Sequence, residues 1–431
     1  MTKPAHQVRT AHEVDTAINR LAREESGRVL ALLAGRFNDL NLADEAVQEG
    51  LIEAARVWPM QGIPSNTAGW LLSVARRKAI DRLRRASSTQ RRTMAAAPEL
   101  ASRIEPDETE RSSMISDDNP LPVADDEHLR LVLLCCHPAL DQETQIALTL
   151  RLVSGLTTAE IASAFLVPEP TLAQRIVRAK RKIRDAAMPL SIPANLAERV
   201  DVMLGVLYLI FNEGYLTHSE RDVVVRVDLV DEAVRLTKLV AQLLPAHAEV
   251  EGLLALELFH KARIATRSDH AGDLVLLEHQ DRSRWDLPMI EQANTLLATA
   301  MKRMSPGPYQ MQAVIAGRHA NARTAADTDW PLIAALYGQL VQMTSSPVVR
   351  LNHAAAVAMA DGPLAALAML DDLDGLDRYH LFHATRGELL LRADRPGEAA
   401  QAFRTARELT ANPAERRHLD GRIAAAGGAQ G

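Results

Sequence analysis

The chain has 431 residues, 47% apolar and 24% charged, the ordinary balance of a globular protein of roughly three domains. Aromatic residues are only 3% while Ala and Leu abound, which argues against a β-sandwich or barrel and for helices, and a net charge of −6 gives no overall sign of a polyanion binder. The two cysteines, Cys135 and Cys136, are adjacent, which excludes a disulfide framework and a paired zinc motif; they read as small core residues of a reduced cytosolic protein.

The N-terminus is polar, without the apolar segment of a secretory signal, and no apolar run approaches the ~20 residues of a membrane span. A cytoplasmic protein with no membrane partner is expected. Residues 12–35 place Val14, Ile18, Leu21, Val29, Leu32 and Leu33 on one side and are expected to form one amphipathic helix. After a polar turn at 38–41, LADEAVQEGLIEAARVW repeats the pattern. Leu42, Ala46, Leu51 and Ala55 are expected inward, with Asp44, Glu45, Gln48 and Glu49 on the exposed side. Such an acidic face is a solvated surface or a docking surface for a basic partner. Pro59 to Asn66 reads as a loop.

The third helix, TAGWLLSVARRKAIDRLRR, has an apolar stripe of Trp70, Leu71, Val74, Ala75, Ile80 and Leu83. The rest is basic: from Trp70 to Arg92 there are eight basic residues and one acidic. The sign then reverses. From Glu99 to Glu127 there are ten acidic residues and two basic, with Pro106, Pro120 and Pro122, a composition that cannot bury enough surface to fold alone and is expected to be a flexible linker. Two amphipathic segments split by Pro138 follow over 127–151.

TTAEIASAFLVPEPTLAQRIVRAKRKIR, Thr157 to Arg184, reads as two short helices joined by a tight turn. Thr157 caps the first, with Glu160 completing a capping box, and Ile161, Ala162 and Phe165 share a face. Pro168 and Pro170 suit the start of the second helix, where Leu172, Ile176, Ala179 and Ile183 recur at spacings of 4, 3 and 4. From Glu169 to Arg184 six residues are basic and one acidic. A short helix, a turn and a basic second helix is the geometry that places a recognition helix in the major groove; read alone, the pattern equally fits a helical hairpin with a solvated basic face. Two basic helices on an acidic tether suit a protein that grips a long polyanion at two places.

With both motifs in order, the chain resembles the extracytoplasmic-function sigma factors of bacterial RNA polymerase. DEAVQEGLIEAARVWP followed by AGWLLSVARRKAIDRLRR resembles sigma region 2, and IALTLRLVSGLTTAEIASAFLVPEPTLAQRIVRAKRKIR resembles region 4. The resemblance implies a promoter-specificity subunit, not an enzyme, with core RNA polymerase and promoter DNA as partners. It implies that Asp44, Glu45 and Gln48 contact the polymerase clamp helices and that Arg76, Arg77, Lys78 and Arg82 hold the unpaired −10 element, with Trp70 in the core. Thr171, Gln174, Arg175 and Arg178 would face the −35 element, Arg and Gln being able to bond guanine and adenine edges, while Lys180, Arg181, Lys182 and Arg184 would meet phosphates.

Residues 195–427 exceed a minimal sigma factor and read as helix after helix. Asp361–Ala366 matches Arg395–Ala400 at a shift of 34, the tetratricopeptide period, with Gly387, Ala399, Phe403 and Ala406 at the small-residue and aromatic positions of the last copy. A protein partner for these repeats is a possible use. Glu278, His279, Asp281, Arg282, Arg284 and Asp286 form the densest polar cluster and are expected to be an interhelical salt-bridge network rather than a catalytic or metal site. Asn212 to Tyr215 is expected to be a helix C-terminus with Gly214 left-handed. No phosphate loop, dinucleotide motif or nucleophile elbow is present, and neither a cofactor nor a metal is expected. The expected fold is all-α: sigma region 2 over 10–95, an acidic linker over 96–126, region 4 over 127–187 and a tetratricopeptide-like extension over 195–427. The competing reading is a helix-turn-helix regulator with a ligand-sensing helical-repeat domain.

Overall fold

The computed structural model describes residues 11–93, 125–165, 167–186, 188, 190–215, 225–270 and 272–428. Among these residues the protein is all α-helical, with a single isolated antiparallel bridge between Ser268 and Leu274. The chain divides into two compact units, Met1–Val206 and Leu207–Gly431. Nearly all of the acidic linker expected over 96–126 lies outside the described residues; its last two positions, Asp125 and Asp126, begin a helix.

The first unit opens with α1 (Ala11–Glu24) and α2 (Ser26–Phe37) in place of the single helix expected over 12–35. The break falls before Gly27, where an added Cβ would lie 2.3 Å from the Val153 carbonyl oxygen. Backbone-to-backbone packing at that distance is open only to glycine, and it sets α2 on its own line. α3 (Leu40–Gln61) starts on Asp39, whose carboxylate accepts from the Leu42 N–H, and runs through Pro59, so the expected loop begins three residues later. α4 (Thr67–Thr93) lies along α3, and Gly50 admits the Leu71 side chain there.

That close crossing decides which side of α3 is buried. Ala43, Asp44, Val47, Gly50, Ala54 and Trp58 turn inward. Ala55, expected inside, is exposed, and Asp44, expected outside, is only 5% exposed. Leu42 and Ala46 are buried as expected, and the buried side is wide enough to take in Asp44 as well.

α5 (Asp125–Cys135) and α6 (Gln142–Leu148) follow, with a π-helical turn at Thr149–Val153. Cys135 and Cys136 are fully buried free thiols, as expected of core residues, and burial pushes the Cys136 thiol up to about 11. α7 (Thr158–Ala164) and α8 (Glu169–Asp185) complete the set before α9 (Leu196–Tyr215).

The second unit carries α10 (Val227–Leu243), α11 (Ala248–Lys261), α12 (Leu287–Met301), α13 (Pro308–Asn321) and α14 (Trp330–Met343). α15 (Pro347–Ala360), α16 (Pro363–Asp371), α17 (His380–Arg392), α18 (Pro396–Leu409) and α19 (Pro413–Gly428) end it. Proline stands in the first turn of α12 to α16 and of α18, where its missing N–H costs nothing. α11 is the axis of the first half: Val250, Leu253, Leu256, Leu258 and Phe259 are buried against α10, α12 and α13. In the second half consecutive helices pack on one another, and Phe403 of α18 fills the space that Gly387 leaves on α17. Gly214 does not take the left-handed conformation expected of it; it lies inside α9 and admits the Val230 backbone nitrogen and the Leu229 Cβ.

Candidate nucleic-acid interface

α7 and α8 are built as their residues demand. The Thr157 hydroxyl accepts from the Glu160 N–H at 3.1 Å, and the Glu160 carboxylate accepts from the Thr157 N–H at 2.8 Å, closing the capping box. Burial raises the Glu160 pKa, but the bonds from Thr157 and the charge of Arg23, 2.9 Å away, outweigh it and leave the carboxyl below its usual range. Pro168 stands at the N-cap of α8 with Pro170 in its first turn. Leu172, Ile176, Ala179 and Ile183 are buried, as their spacing required.

The opposite side of α8 faces solvent. Thr171, Gln174, Arg178, Arg181, Lys182 and Arg184 are exposed, and Arg178 donates to the Gln174 side chain at 3.1 Å. Between them stands Val177, 58% exposed. Sequence reasoning passed over it because it matches neither the apolar stripe nor the basic face, yet it lies on the row of Gln174, Arg178 and Arg181 at spacings of three, one and three. Such an apolar side chain suits a thymine methyl group. Arg175 is half-buried and pairs with Glu143 at 2.7 Å. It lines, with Asp141, Thr144, Arg178 and Lys182, a cleft of about 320 Å³ between α6 and α8.

Lys180 departs from its neighbours. Its ammonium is turned inward to the Asp44 carboxylate at 2.6 Å, and both side chains are largely buried. Sequence spacing put Lys180 on the basic outer face and Asp44 on an acidic outer face; the crossing of α3 and α8 brings the two together instead.

The basic residues of α4 are divided as well. Arg77 is exposed, whereas Lys78 reaches Glu53 at 3.9 Å and Arg82 is bound by Glu45 and Glu49 of α3. Arg76 is half-buried. Trp70 is half-buried and meets the buried Trp58 edge to face, ring centroids 5.3 Å apart, which places it in the packing between α3 and α4.

Two stretches of the chain match family models that join this helix-turn-helix to the paired helices before it. Residues 21–89 match sigma-70 region 2 and residues 130–183 match sigma-70 region 4. The chain belongs to the sigma-70 family. An uncharacterized protein of Rhizobium meliloti (strain 1021) is 42% identical over 395 residues, covering 91% of this chain and 92% of its own length. Residues 199–301 match a family of unknown function, DUF6596, so this sigma-70 protein carries a C-terminal extension beyond region 4. Yeast Tom70, a solved structure, aligns over 97% of this chain and 86% of its own at 13% identity with a TM-score of 0.37, a likeness that carries no argument.

Regions 2 and 4 together are those of a sigma factor involved in promoter recognition, a non-enzymatic transcription factor whose partners are core RNA polymerase and promoter DNA. Among the described residues no helix is long and apolar enough to cross a membrane, and no group of His, Cys, Asp and Glu could hold a metal ion. The polar cluster at 278–286 is not the salt-bridge network expected. Asp281 caps the short turn Arg282–Arg284 and Asp286 caps α12, while Arg282 and Arg284 donate to backbone carbonyls.

Proposed function

We propose that the chain is a sigma factor of the extracytoplasmic-function kind that directs core polymerase by reading a −35 and a −10 element. The division assigned is region 2 over 10–95, an acidic linker over 96–126, region 4 over 127–187 and a tetratricopeptide-like extension over 195–427 that regulates the factor in cis. The observation that carries this reading is the outer row of α8: Thr171, Gln174, Val177, Arg178 and Arg181 stand in solvent on a helix whose other face is packed. Gln174, as donor and acceptor, and Arg178, as a donor fork, can bond base edges bidentately, and Arg175 joins them when Glu143 gives way; Arg181, Lys182 and Arg184 bring charge to phosphates. Arg76, Arg77, Lys78 and Arg82 on α4 are assigned to the unpaired −10 strand.

Asp44, Glu45 and Gln48 are assigned to the polymerase. Their engagement requires Glu45 to exchange Arg82 for a polymerase cation and Asp44 to exchange Lys180. Glu45 is therefore the informative residue, since its side chain is half exposed while reversing Asp44 strands Lys180. Glu45→Lys is expected to abolish co-purification with core polymerase and to leave helix content unchanged; undiminished association sinks the docking assignment. In vitro transcription with core enzyme tests the rest. The full chain is expected to initiate from its own promoter at a rate different from a chain ending near Ala187. Equal rates from the two remove regulation in cis.

A further inference from the structure

Where α9 ends beside α11, the second unit gathers positive charge that no ion pair among the described residues balances. Arg263 and Arg267 stand just beyond α11, and Tyr215 closes α9 beneath them. The Arg267 guanidinium lies 3.9 Å from the Tyr215 ring centroid and that of Arg263 lies 5.7 Å from it. Arg263 donates to Nδ1 of His260 at 2.8 Å. A guanidinium has no acceptor, so that imidazole nitrogen accepts and His260 is neutral. Burial, then the charges of Arg263 and Arg267, hold the His260 pKa well below its ordinary value. His319 of α13 faces the same charges, and burial with Arg263 and Arg282 brings it down to about 4.

His260 and His319 thus bring no counter-charge to Arg263 and Arg267, which repel each other. Neither arginine makes an ion pair with any described residue. Asp327 acts on Arg282, and Arg282 is already spent on the carbonyl oxygens of His319 and Ala322 at 2.7 and 2.8 Å. Glu257, the buried acid of α11, faces Thr237 of α10 at 2.9 Å instead. Nε of Arg267 and Nδ1 of His319 are buried without a hydrogen-bond partner. Desolvated guanidinium groups with unused donors are costly unless an anion balances them. Taken as whole residues, Arg263, Arg267, His260 and His319 are half-buried.

We propose that Arg263 and Arg267, supported by Tyr215 and His319, form a receptor for a small molecule bearing an oxyanion, a carboxylate or a phosphate. Two guanidinium forks match the two oxygens of such a group, and the tyrosine face beneath holds the Arg267 fork in plane. The receptor lies in the extension and is independent of whether α8 reads DNA.

The test is calorimetric titration of the full chain at constant ionic strength, one arm with inorganic phosphate and one with benzoate. Saturable binding in either arm is expected, and the stronger arm names the oxyanion. Arg267→Gln is expected to weaken that binding about tenfold or more, the size of a lost charged hydrogen bond. Arg267→Lys keeps the charge, loses the fork and is expected to fall between, while Arg284→Gln, at an exposed arginine on the same segment, leaves binding unchanged. Circular dichroism melts establish that each variant is folded. No saturable binding in either arm overturns the proposal, as does binding that Arg267→Gln leaves intact or that Arg284→Gln reduces equally.

Discussion

Asp44 and Lys180 lie 136 positions apart and meet at 2.6 Å, with side chains 7% and 14% exposed. Removing one member of a buried pair leaves the other charge uncompensated, which costs about 3–5 kcal/mol, whereas replacing both with groups of similar shape costs far less. Lys180→Met and Asp44→Asn are each expected to lower the urea midpoint, and the double variant to recover much of the loss. Additive losses in the double variant remove the pair as a stabilising contact. Glu160 gives a second test at this scale. Its folded pKa is depressed, so its contribution is present above the ordinary Glu value of about 4.3 and is lost as pH falls through the folded value. The urea midpoint of Glu160→Gln is expected to lie below that of the unaltered chain at pH 7, and the gap to narrow as pH falls below the ordinary Glu value. A gap that does not narrow on acidification rules out the carboxylate as its source.

Helix pairs in the second unit are fitted by small residues, and α17 against α18 shows how closely. A Cβ on Gly387 would lie 2.6 Å from the ring of Phe403, which is 1% exposed and has no room to turn. Gly421 of α19 is also helical, is exposed, and has nothing within 4 Å of an added Cβ. Alanine favours a helix over glycine by about 0.5–1 kcal/mol, so space alone decides the sign. Gly421→Ala is expected to raise the melting temperature slightly. Gly387→Ala is expected to lower it, overpacking of this kind costing about 1–3 kcal/mol. Both variants shifting in the same direction defeats the steric account.

For the molecule as a whole, a net charge of −6 coexists with six basic residues and one acidic over Glu169–Arg184. Sign segregation of this kind makes a local polyanion site on an acidic protein, and binding there is expected to weaken steeply with salt. On the proposed −35 contact, Arg178→Ala is expected to cost about 1–3 kcal/mol on the preferred duplex and little on one altered at the contacted position. Lys182→Ala is expected to weaken both duplexes alike and to lower the salt slope by about one. Equal losses on both duplexes for Arg178→Ala take it out of base reading.

The sequence by itself determined the periods, the caps and the order of motifs. The capping box at Thr157 and Glu160, the buried stripe of α8 and the helical class all follow from neighbours within a turn of each other, whose interactions are local. The match of both sigma motifs in order was legible for the same reason. Tertiary structure decided that Asp44 of α3 is buried, because α8 crosses there and Lys180 meets its carboxylate. It also took Lys180 from the outer face, broke the first helix at Gly27, and turned the 278–286 cluster to backbone carbonyls. The arginine group on Tyr215 is assembled from α9, the end of α11 and α13, segments spread over a hundred positions in sequence. A charge that lacks a partner is defined by every group around it in space, and no window of sequence contains them all.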